Sequence, residues 1–140
     1  MTRNQSFPVE ISWKTLLQDC GMRPEDVLRR AGLPADLFTR PDLMLPTEDY
    51  FRFWRSIEDE TGDPAFALRL VEMLSAEVFD PPLFAALCSA NMTQAVQRLA
   101  KYKQLMAPMR LEIEIARSGD LTVSPRWLYA ESQVPASLQV

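Results

Sequence analysis

The stretch Glu60–Leu70, ETGDPAFALRL, decides how the chain divides into elements. Its one glycine, Gly62, is followed by Asp63 and Pro64. Glycine takes the left-handed conformation past a helix end, aspartate caps the free N–H groups of the next helix, and proline suits a first helical position. The reading is therefore a helix stop and a helix start with almost no loop between. A phosphate cradle is a poor alternative, because it needs several glycines at a helix N-terminus and here an acid follows the only one.

Working outward, the residues before Gly62 carry Tyr50, Phe53, Trp54, Ile57 and Thr61 at i, i+3, i+4, i+7 spacing. This predicts a helix from Thr47, with Thr47 as its cap and Glu48 and Asp49 in its first turn. Glu58, Asp59 and Glu60 lie at the end disfavoured by the helix dipole unless Arg55 offsets them. After Pro64, only Arg69 and Glu72 interrupt the apolar run Ala65–Leu74, which predicts a helix buried nearly all round.

Towards the N-terminus, Trp13, Leu16, Leu17 and Cys20 form one face of a helix over Ser12–Cys20 closed by Gly21. Pro24 opens a second, with Glu25 and Asp26 at its start, Arg29 and Arg30 at its end, Gly32 beyond it and Val27, Leu28 and Ala31 inward. The proline-broken segment that follows is expected to be an extended connector, with a single turn around Ala35–Phe38.

Towards the C-terminus, Asp80 and Pro81 open a further helix carrying Leu83, Phe84, Leu87 and Cys88. Ala85, Ala86 and Ala90 allow a close neighbour. Asn91 and Gln94 have capping-box spacing for a helix Met92–Met106, with Ala95, Val96, Leu99, Tyr102 and Met106 inward and Arg98, Lys101 and Lys103 complementing its C-terminal end. After Pro108 the period falls to two: MRLEIEIARSGDLTV, residues 109–123, reads as strand, turn and strand, with Pro125 weakening the second strand or placing it at an edge. The expected fold class is α+β, mainly α: about six helices followed by a C-terminal hairpin or the start of a small antiparallel sheet, in a single domain spanning residues 1–140.

Composition bounds the function. The 140 residues carry 15 basic and 19 acidic side chains, a net charge of -4, and no histidine. The acidic balance argues against nucleic-acid binding by this segment, and the absence of histidine removes Ser/His and Cys/His nucleophiles and histidine-ligated metals. Cys20 and Cys88 lack CxxC spacing and are expected as small core residues. No stretch has the form of a signal peptide or a membrane span, so a cytoplasmic location without membrane contact is expected.

No catalytic, cofactor-binding or metal-ligating group emerges, and no enzyme is expected. Glu112 and Glu114 fit a solvated strand face, and become ligand contacts only if that face turns inward. Trp127 and Tyr129 are the aromatic candidates for a ligand or partner contact. The methionines Met92, Met106 and Met109 fit core filling, though such soft walls also suit small apolar ligands.

The ordered succession of residues 21–46 (GMRPEDVLRRAGLPADLFTRPDLMLP), ETGDPAFALRL and residues 89–114 (SANMTQAVQRLAKYKQLMAPMRLEIE) resembles the N-terminal effector domain, called arabinose-binding-like, of AraC-type transcriptional regulators. Ala67 stands where the pattern GDPxFGLRL has glycine, and Ser89, Ala90 and Asn91 replace a serine-proline-threonine. The resemblance implies a module that senses a small-molecule effector and forms a homodimer. It also implies that DNA is contacted only through a separate domain with two helix-turn-helix motifs. No such motifs lie in these residues, so the regulatory part alone is expected. The alternative is a ligand-free dimerisation or protein-interaction module.

Overall fold

The computed structural model describes residues 5–9, 12–63, 65–73 and 81–139. Its contacts fall into two compact units: Met1–Met73 with Ser132–Val140, and Leu74–Glu131. Among the described residues there are six α-helices and two small antiparallel sheets, the second a C-terminal hairpin, so the fold is α+β and mainly α as the periodicity predicts.

The first unit is built around α3 (Thr47–Thr61). Its stripe behaves as the spacing requires: Phe53, Trp54 and Ile57 are buried, and Phe53 retains 1% exposure. Trp13 of α1 (Ser12–Asp19) stands edge-on to Phe53 and Trp54, at centroid distances of 5.8 and 5.1 Å. Such edge-to-face pairs add to the hydrophobic gain of burying the rings. Leu17, and Val27 and Leu28 of α2 (Pro24–Arg30), complete the centre of this core.

Gly62 ends α3 with φ 63°, and its N–H donates to the Glu58 carbonyl at 2.8 Å. Asp63 then accepts the Ala65 N–H at 2.8 Å and pairs with Arg69 at 2.6 Å, which starts α4 (Phe66–Met73). The stop-and-start reading thus holds on both sides of Pro64. Pro64 as first helical residue, Leu74 as the end of that helix and Asp80 as a cap lie outside the described residues.

Three local expectations change. Thr47 does not cap α3: its N–H and its hydroxyl both donate to the Gln5 carbonyl, at 3.0 and 3.1 Å. This fastens β1 (Ser6–Pro8) to the helix start, where it pairs with β2 (Met44–Pro46) and buries Phe7 against Leu45. Part of the presumed connector is therefore a strand. The helix α4 is not buried all round. Phe66 and Leu70 face the core, but Leu68, Val71 and Met73 are exposed, because two turns of helix meet that core on one side only.

The acids at the end of α3 find partners other than Arg55. Glu60 pairs with Arg30 at 3.0 Å, and Glu58 accepts the Ser137 N–H at 2.6 Å and its hydroxyl. Arg55 instead donates to the Gln133 carbonyl. These bonds bring the 3₁₀ turn Ala136–Leu138 onto α3, with Val134, Pro135 and Ser137 buried.

The second unit contains α5 (Pro81–Leu87), α6 (Met92–Met106), β3 (Met109–Ile115) and β4 (Leu121–Trp127). The hairpin pairs Met109 with Trp127 and Ile115 with Leu121 around a turn containing Gly119. The stripe of α5 turns outward: Phe84 is 62% and Leu87 66% exposed, and Cys88, expected in the core, is exposed too. Ala86 is the buried residue of this helix, because alanine allows α6 to approach closely.

Replacing Gly62 with alanine forces a β-carbon into the left-handed region, at a cost of about 1–2 kcal/mol. Thermal unfolding should show a loss of several degrees. A second expectation concerns Tyr50, enclosed by the rings of Phe7, Phe51 and Trp54. Burial pushes its phenol above the ordinary value. The unfolded chain then loses this proton first as pH rises, so stability should fall above about pH 10. In urea titrations at rising pH, Tyr50→Phe should show less of that fall.

Candidate ligand-binding cleft

The cleft is made by a helix pair and a strand of the second unit. Asn91 is in extended conformation and its Oδ1 accepts the Gln94 N–H at 2.9 Å, while Gln94 Oε1 accepts the Ala90 N–H at 3.0 Å. This reciprocal cap fixes where α6 begins. Arg98, one turn further on, donates from Nη1 to the Ala85 carbonyl at 2.9 Å and to the Ser89 hydroxyl at 3.0 Å. A cation thus sits at the negative end of α5 and satisfies a carbonyl there. The arginine expected to complement the C-terminal end of its own helix is a clamp between two helices.

At its other end α6 runs into Ala107 and Pro108, both buried, and the chain turns into β3. The Pro108 carbonyl accepts the Leu128 N–H at 2.9 Å, which secures the far end of the hairpin to this corner. Leu99, Lys103 and Met106 lie at i, i+4, i+7 on one face of α6. With Leu111 of β3 and Pro82 and Leu83 of α5 they line a cleft of about 270 Å³.

Of the six lining residues among those described, five are apolar and the sixth is Lys103. Among the described residues its ammonium forms no ion pair. An apolar hollow with one polar group that can fix orientation is the general form of a small-molecule site.

The hairpin sorts the candidates named from sequence. Glu112 and Glu114 are on the exposed face, and Glu112 accepts from Arg126 Nε at 3.0 Å. They stand across the strand from the side chain of Leu111. Trp127 is half-buried opposite Met109, on the face that carries Leu111, and Tyr129 is half-buried beyond the strand end. None of the four lines the cleft. Met106 does, as a soft wall.

A second hollow, in the first unit, is bordered by Asp26, Arg29, Arg30 and Glu60. Its cations are already engaged, Arg29 by Asp26 at 2.5 Å and Arg30 by Glu60. Among the described residues there is no cluster of three or more potential metal ligands, and no helix is long and apolar enough to cross a membrane.

The family described as the arabinose-binding domain of AraC transcription regulators, N-terminal, matches residues 21–139. The chain belongs to that family. Its members are regulatory ligand-binding domains of AraC transcription regulators rather than enzymes, and the match includes every residue of the cleft. No curated protein matches the chain.

Replacing Arg98 with methionine removes the clamp and leaves the Ala85 carbonyl with the Ser89 hydroxyl as its remaining side-chain donor, at a cost of about 1 kcal/mol. Urea unfolding should record that loss, and amide exchange should quicken in α5 more than in α1 or α2.

Proposed function

We propose that residues 1–140 form one effector-sensing domain of an AraC-type transcription regulator. It holds a small molecule in the cleft between α5, α6 and β3, associates with a second copy, and controls an attached DNA-binding domain in the cytoplasm. The observation that carries this reading is the cleft itself: a small apolar hollow with a single cation among its described residues, inside the span that matches a family of regulatory ligand-binding domains. A ligand in it touches two helices and a strand at once, so occupancy favours one arrangement of these elements over others, which is what a sensor requires.

A ligand-free interaction module is the second reading. It is favoured by the outward-facing Phe84 and Leu87 on α5, since exposed neighbouring apolar residues mark protein contacts.

Thermal unfolding in the presence of sugars, amino acids and small organic acids separates the two. A ligand at about a hundred times its dissociation constant adds about 2.7 kcal/mol, several degrees for a chain of this size. Leu99→Trp, which fills the cleft, should abolish the shift while circular dichroism remains unchanged. Absence of any stabilising compound, with a dimer in light scattering, favours the second reading.

A further inference from the structure

The chemistry of the cleft narrows its occupant. We infer that it takes a small organic anion with an apolar body, such as a short-chain carboxylate, with the charged end at Lys103; this rests on the reading of the cleft as the effector site.

Among the described residues, the lining has one cation and no acid. Lys103 lies in the last turn of α6, where the helix dipole favours positive charge, and its ammonium has no carboxylate partner among the described residues. It is half-buried: the aliphatic stem can line the hollow while the ammonium reaches its edge. An anion held there keeps part of its hydration and gains a charge-assisted hydrogen bond.

The other described walls, Pro82, Leu83, Leu99, Met106 and Leu111, carry no side-chain hydrogen-bond donor, and the Met106 thioether is only a weak acceptor. A neutral pentose displays a hydroxyl on nearly every carbon. Each would lose water against these walls without a replacement partner, which is costly. The same walls suit an alkyl or aryl body.

Size agrees. At about 30 Å³ of liquid volume per water, a cleft of about 270 Å³ has room for about nine waters. That corresponds to an occupant of roughly eight to ten non-hydrogen atoms. A nucleotide is larger, and several phosphate charges would face one cation.

Isothermal titration calorimetry with the whole chain tests this, using hexanoate, 1-hexanol and arabinose as probes. Hexanoate should bind at least about 5-fold more tightly than hexanol, and arabinose should give no saturable heat. Lys103→Met should weaken hexanoate about 5- to 10-fold, to the level of hexanol, and leave hexanol unchanged. Lys103→Arg should retain most of the hexanoate affinity. Equal binding of hexanoate and hexanol, indifference of hexanoate to Lys103→Met, or preference for arabinose overturns the ligand class and leaves the cleft as a binding site. Failure of all three probes to bind, with the chain folded by circular dichroism, removes the ligand class and the cleft as effector site together.

Discussion

Phe53, Trp54 and Ile57 leave water together because they share one side of α3, and the core of the first unit is assembled against that side. Trp13 leans on it edge-on, and α2 brings Val27 and Leu28 to the same core. The N-terminal strand is fastened at its start through Thr47 and Gln5, and the C-terminal turn near its end through Glu58 and Ser137. Burying a large apolar side chain is worth about 1.5–3 kcal/mol, so this face outweighs any single polar contact in the unit. One donor is left over: the Trp54 indole N–H is buried without an acceptor among the described residues, a cost accepted for the packing of its ring.

What was legible in the sequence is what neighbouring residues decide among themselves. Gly62 with Asp63, Asn91 with Gln94, and the alternation of Met109 to Ile115 each act within a few residues, and each produced the element it predicts. The β1–β2 pair was not legible. Its strands have three residues each, and the bond that holds the first is made by Thr47, forty-two positions away, whose type suits a helix cap equally well. Period analysis marks an apolar stripe but cannot say what covers it. On α3 the stripe is buried, whereas on α5 it faces outward and Ala86 makes the contact.

The cleft illustrates the same limit. Leu99 and Met106 were expected on the inner face of α6, but Lys103 fitted equally well as a partner for the helix dipole. Its further apolar neighbours from α5 and β3 come only with the fold, in which Arg98 reaches across to Ala85 of α5. The signal available in the sequence was the i, i+4, i+7 spacing of Leu99, Lys103 and Met106, which puts a charge within an apolar row. A cation in that position has a different meaning from one in a run of cations on a solvated face.

The chain leaves the first unit after Met73 and rejoins it at Ser132, where Gln133 and Ser137 are bonded to Arg55 and Glu58. The second unit is thus an insertion with both ends held. When it unfolds alone it becomes a closed loop of about 60 residues rather than a free tail. Closing a loop of that length removes roughly 3–4 kcal/mol of chain entropy from its unfolded state. The second unit is therefore supported by a contact made outside it, and loosening the hold of Glu58 on Ser137 would widen the ensemble that its helices and hairpin must fold from.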